Sequence, residues 1–131
     1  MQAELVFLGH GPQPAAGARL AIPPQLPRGG VIPLHLRHSQ RWHRTDVTRV
    51  ILGSDPAWAD VVLVDEPLTF HREHARFYLN HQQPTHSDFR AMQDCPVLVN
   101  GQLRPPLEWI RLQAGDALRL GAWEFRYTWR A

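Results

Sequence analysis

The chain has no lysine, one cysteine, no apolar run long enough to cross a membrane, and none of the short motifs that mark common enzymes. All 14 basic residues are arginine. Together with frequent proline and alanine, this usage fits a high-GC coding bias better than a selected chemistry. Cys95 alone cannot close an intramolecular disulfide, so nothing favours an oxidising compartment and a reducing cytoplasm is the expected location. The first thirty residues lack the basic start and continuous apolar stretch of a secretory signal. The formal charge is only +2 and the arginines are scattered, which disfavours a nucleic-acid partner and gives no reason to expect a membrane one.

Catalysis and metal binding are disfavoured in the same way. There is no G-x-S-x-G, no P-loop and no H-E-x-x-H, and Cys95 precedes Pro96 with no general base beside it in sequence. Asp60, Asp65, Glu66 and Asp116 fall at strand ends and turns, where carboxylates cap or solvate. His35 with His38, and His71 with His74, stand three apart. That spacing shares a face on a helix but does not converge in strands or turns. The chain therefore reads as a non-enzyme with no cofactor and no metal.

What is present is 131 residues with a 44% hydrophobic share, enough for one domain with its own core. The central stretch from Val50 to Arg76 alternates β-branched runs with turn formers at Gly53 to Pro56 and Asp65 to Pro67, predicting strand, turn, strand, turn, strand, with both turns at one end. Upstream, residues 31–37 alternate with Pro33 confining them to an edge or a strand start, and 47–52 form the next strand. Downstream, strands are expected at 76–80, 88–93, 97–99, 107–112, 117–120 and 123–129. Asn100-Gly101 is a strong hairpin signal, because both residues accept positive φ. Trp123, Phe125, Tyr127 and Trp129 share one face of the last strand and read as core.

Residues 1–30 hold short apolar runs at 3–8 and 19–22, each long enough for a short strand but broken by glycine and proline, and read as an irregular extension packing partly on a sandwich formed by residues 31–131. No helix of ordinary length is visible. Many short strands with regular turns predict an all-β fold, a β-sandwich of two antiparallel sheets.

The central stretch, followed by Val99-Asn100-Gly101, Leu112, Gly115-Asp116, Leu118, Leu120-Gly121 and Phe125, resembles the forkhead-associated (FHA) domain over roughly residues 31–129. The resemblance implies a sandwich whose apical loops hold phosphothreonine peptides. Three elements do this in the family: an arginine after the glycine of the first turn, a serine opening an S-R-x-H motif, and an asparagine in an N-G-T element. Here Gly53 is followed by Ser54, the serine position is His71, and Cys95-Pro96-Val97 stands in place of N-G-T. Arg72 and His74 match, His74 as the structural histidine, and Asn100 matches the second, hairpin asparagine.

An arginine–phosphate hydrogen bond contributes on the order of 1.5–3 kcal/mol. Its loss with two polar partners predicts an interaction module of bacterial signalling or scaffold type that lacks standard phosphothreonine recognition. The candidate ligand-loop residues are Ser54, His71, Arg72, Cys95 and Val97, and the structural ones Gly53, His74, Asn100 and Gly101. The alternative is a rebuilt anion site in which His71 and Arg72, with help from Arg49 or Arg104, meet a phosphorylated partner, more tightly where imidazole is protonated. Trp42 and Trp58 are the loop tryptophans available as contacts or plugs.

Overall fold

A computed structural model describes residues 2–10, 20–21, 26–34, 47–65, 68–80, 86–92, 94–95 and 97–130. Trp42, His35, His38, Glu66 and Pro96 lie outside them. Among the described residues there is no helix, and so none long and apolar enough to cross a membrane. The strands are β1 (Gln2–His10), β2 (Leu20–Ala21), β3 (Val31–Leu34), β4 (Val47–Gly53), β5 (Val61–Val62), β6 (Val64–Asp65), β7 (Ala75–Asn80), β8 (His86–Ala91), β9 (Val97–Val99), β10 (Gln102–Leu103), β11 (Ile110–Gln113), β12 (Ala117–Leu120) and β13 (Trp123–Arg130).

They make a six-stranded sheet ordered β10-β9-β12-β13-β1-β3, a five-stranded sheet ordered β11-β8-β7-β4-β5, and a short β2-β6 pair. Every pairing is antiparallel except β4 with β5.

The core lies between the two larger sheets because their inward positions are apolar with period two. On β13, Trp123, Phe125 and Tyr127 are buried; on β7, Ala75, Phe77 and Leu79; on β8, Phe89 and Ala91. Phe77 meets Phe89 edge-on at 5.0 Å within its own sheet and stacks across the sandwich on Tyr127 at 6.4 Å. Burial of each large apolar side chain contributes about 1.5–3 kcal/mol, so these rings dominate the packing. Trp129, the fourth aromatic of the row, is partly buried and packs against the core edge.

The N-terminal residues differ most from expectation. Residues 2–10, read as part of an extension, are a full strand between β13 and β3, paired from Gln2↔Arg130 to His10↔Trp123. Their glycine-rich sequel obscured an inward set, Ala3, Leu5 and Phe7, that is fully engaged in the core. The closing strands also shift: 88–93 is observed as β8 beginning at His86, and 107–112 as β11 beginning at Ile110. The strand expected at 31–37 is described as far as Leu34. Asn100 and Gly101 adopt φ of +50° and +81°, as their hairpin demands.

Candidate functional site

The loops following β4, β6 and β8 meet at one end of the sandwich. Gly53 ends β4 against the loop of β6–β7: a Cβ there would lie 2.0 Å from the Arg72 carbonyl oxygen. Glycine is therefore required by close approach, its φ being ordinary. The adjacent backbone is committed, with Ser54 N–H donating to His71 O at 2.9 Å and Asp55 N–H to Arg72 O at 3.4 Å.

His74 is fully buried and is the hub of these loops. Its N–H donates to Leu52 O and its carbonyl accepts from Met92 N–H, tying the second loop to β4 and to the third loop. Nδ1 accepts from the His71 amide at 3.2 Å, and its ring sits 5.5 Å from those of Phe70 and His71. That geometry braces the loops and leaves Nδ1 occupied.

Asp65 is almost fully buried, where its place at a turn allowed it either to cap or to solvate. It caps: Oδ1 accepts the Thr69 amide at 2.7 Å, and Oδ2 accepts the Thr69 hydroxyl at 2.5 Å and Trp123 Nε1–H at 2.6 Å. Charge-assisted bonds of this kind offset the loss of hydration. Thr69 in turn fits against Gly121, whose φ is +60° and whose Cβ would lie 2.6 Å from the Thr69 hydroxyl oxygen. The β12–β13 turn and the His71 loop are thereby locked together.

The surface these loops present is an open depression of about 320 Å³ lined by Trp58, His71, Arg72 and Glu73. His71, Arg72 and the half-exposed Trp58 face solvent, with the Arg72 guanidinium 5.9 Å from the Trp58 ring. Glu73 pairs with Arg76. Arg72 is thus the one cation in the described lining, with a carboxylate beside it.

The candidates from the third loop go elsewhere. Val97 is fully buried at the start of β9, opposite Leu120, and cannot touch a ligand. Cys95 is buried too, its Sγ 3.6 Å from Glu73 O. Burial, with Asp94 and Glu73 nearby, pushes its thiol up to about 11. It is a packing group, not a nucleophile. Next to it, Arg104 lines a second, apolar depression of about 500 Å³ with Leu103, Pro105 and Pro106, and is held by Glu108. Arg49, the other helper considered, sits on the outer face of β4 opposite Tyr78, away from the apical loops.

Asn100 and Gly101 lie at the opposite end. Asn100 Oδ1 accepts from Ala117 N–H at 2.9 Å and Nδ2 donates to Asp116 at 3.1 Å, a purely structural bracing of two turns.

No family model matches the sequence, and no curated protein matches it. Solved structures do. The chain aligns over its whole length with the whole FHA domain of CT664 protein from Chlamydia trachomatis, at 19% identity and a TM-score of 0.66. The chain has the FHA fold. At 15% identity and a TM-score of 0.60, 86% of it superposes on 93% of the N-terminal FHA domain of S. cerevisiae Rad53p, solved with a phosphothreonine peptide. At 20% identity and a TM-score of 0.56, all of it superposes on 84% of the cytoplasmic domain of the T3SS sorting platform protein PscD from P. aeruginosa.

Gly53, His71, Arg72 and His74, singled out from the sequence, lie together at the apical loop end of the sandwich. Sequence reasoning missed the buried role of Asp65 and the apolar fate of Val97. The apolar flanks of Val97, in the run C-P-V-L-V, were the available signal for the second.

Proposed function

We propose that this domain is a non-enzymatic protein-interaction module of FHA type that lacks standard phosphothreonine recognition. The observation that carries the reading is the composition of the apical depression. Ser54 follows Gly53 where the family resemblance calls for arginine, and the third loop contributes buried Cys95 and Val97 in place of polar donors. A phosphate dianion needs charge-assisted donors converging on it. Here one exposed arginine stands beside a tryptophan and a glutamate.

Structures with this fold include both a phosphothreonine-peptide complex and a sorting-platform domain, so the fold admits either use. The residues favour protein contact that does not depend on phosphate. The partner is a protein, and the reducing cytoplasm expected from the single cysteine suits such a module.

A second reading rests on His71 and Arg72 lining one depression: a rebuilt anion site that tightens where imidazole is protonated. Binding of the purified domain to an array of phosphothreonine peptides and their unphosphorylated counterparts, at pH about 6 and about 7.5, separates the two. The expected result is no phosphate selectivity at either pH. Selective binding that strengthens at the lower pH and disappears in His71→Ala or Arg72→Ala overturns the proposal in favour of the second reading.

A further inference from the structure

The outer face of the five-stranded sheet carries a regular grid of side chains that point away from the main core cluster; most are half-buried, and Ile51 is buried. Cross-strand register sets Ile51, Arg76 and Arg90 in one row and Arg49, Tyr78, Asp88 and Arg111 in the next. Arg76 and Arg90 are directly opposite each other, a like-charge pair that disfavours strand pairing. Trp109 closes the first row. It is 55% exposed, with the Arg90 guanidinium 4.9 Å over its ring and Tyr78 at 5.1 Å. Arg76 Nη1 lies 3.5 Å from the Tyr78 hydroxyl.

Among the described residues, the carboxylates of this face are already engaged, Glu73 with Arg76 and Asp88 with Arg111. Arg90 is left without one: its Nε is shielded from water and has no hydrogen-bond partner among the described residues. Among the described residues, positive charge without a carboxylate partner therefore centres on Arg90, beside the exposed Trp109.

We propose that this face docks an acidic segment of a protein partner, whose carboxylates take the place between Arg90 and Arg76 while an apolar side chain covers Trp109. The charge complementarity is the argument. An anion placed between Arg76 and Arg90 removes the cross-strand repulsion and supplies the missing acceptor at Arg90, and an arginine stacked on an exposed tryptophan is the residue pair that anchors interfaces. A nucleic acid fits less well, since backbone binding typically draws on about 6–10 phosphate contacts and two of the arginines here already hold carboxylates. The site adjoins the apical depression through the Glu73–Arg76 pair but is centred on Arg90 and Trp109, so it stands whether or not the loops bind phosphate.

The test is titration of the domain with a short labelled peptide of glutamate, alanine and tyrosine, with its glutamine counterpart and a single-stranded oligonucleotide as the other probes. The expected result is binding of the glutamate peptide that weakens about tenfold in Arg90→Glu and in Trp109→Ala, weakens with salt, and is unchanged in Arg72→Ala. Amide shifts should cluster on β7 and β8. Arg76→Glu provides a second charge reversal should Arg90→Glu fold poorly. Equal binding of the glutamine peptide, no binding, loss in Arg72→Ala instead, or tighter binding of the oligonucleotide overturns the proposal.

Discussion

The apical loop end and the outer face of the five-stranded sheet are both polar, but they treat polarity in opposite ways. At the loop end, polar groups are consumed internally. Asp65 accepts three hydrogen bonds, the imidazole of His74 accepts the His71 amide, and the backbone of Ser54 and Asp55 is spent on the neighbouring loop. Left-handed non-glycine backbone occurs there at Leu68 (φ +54°) and Asp94 (+62°), as it also does at Leu107 (+66°) ahead of Trp109. On the sheet face Trp109 gathers its neighbours, with the Arg90 guanidinium over its ring and the Tyr78 ring tilted against it. The loop motif spends most of its polar backbone on holding the loops together and leaves His71, Arg72 and Trp58 at the surface, whereas the alternating strands keep their polar side chains half-buried on one outer face.

The comparison breaks most sharply at Gly53. Its replacement by alanine drives a methyl group into the Arg72 carbonyl, and a loss of about 3 kcal/mol or more is expected in urea denaturation. A Gly53→Ala variant of wild-type stability would mean that the loops are not locked as described.

Asp65→Ala should cost about 2–3 kcal/mol, because it strands the Trp123 indole N–H and the Thr69 donors in a dry site. The loss is measured in the same way. Recovery of most of it in the double variant Asp65→Ala, Trp123→Phe would identify the orphaned indole as the cause.

A smaller effect is expected at Leu68, which is exposed and left-handed. Leu68→Gly should raise stability by about 1 kcal/mol by relieving that conformation. A decrease would assign the leucine a packing role.

Alkaline pH probes the buried side of the comparison. Burial, first of all, raises Cys95 from 9.0 to about 11 and Tyr127 from 10.0 to about 12, the latter against the lowering influence of Ser87 and Trp129. The unfolded chain then loses these protons first, so stability is full below pH 9 and falls as pH rises through 9 to 12. Denaturation midpoints across this range check the sign, and Cys95→Ala should delay the onset. The smallest effect belongs to His71→Ala and Arg72→Ala, expected to change stability by less than about 0.5 kcal/mol because both side chains face solvent.

Local patterns were legible in the sequence alone. The buried row Trp123, Phe125 and Tyr127, the Asn100-Gly101 hairpin and the strands Val97–Val99 and Ala117–Leu120 follow from period-two alternation and turn chemistry, which act between near neighbours, whereas the roles of Gly53, Arg72 and His74 were expected only from the family resemblance. Three features depended on partners far away in the chain. β1 became a central strand because Gln2 pairs with Arg130; Asp65 became a buried acceptor because Trp123 reaches it; and Arg76 came to face Arg90 through the β7–β8 register. A sequence states which face of a strand is apolar, but only the assembled sheets decide which strand lies beside it, and therefore which charges are buried, bridged or left side by side.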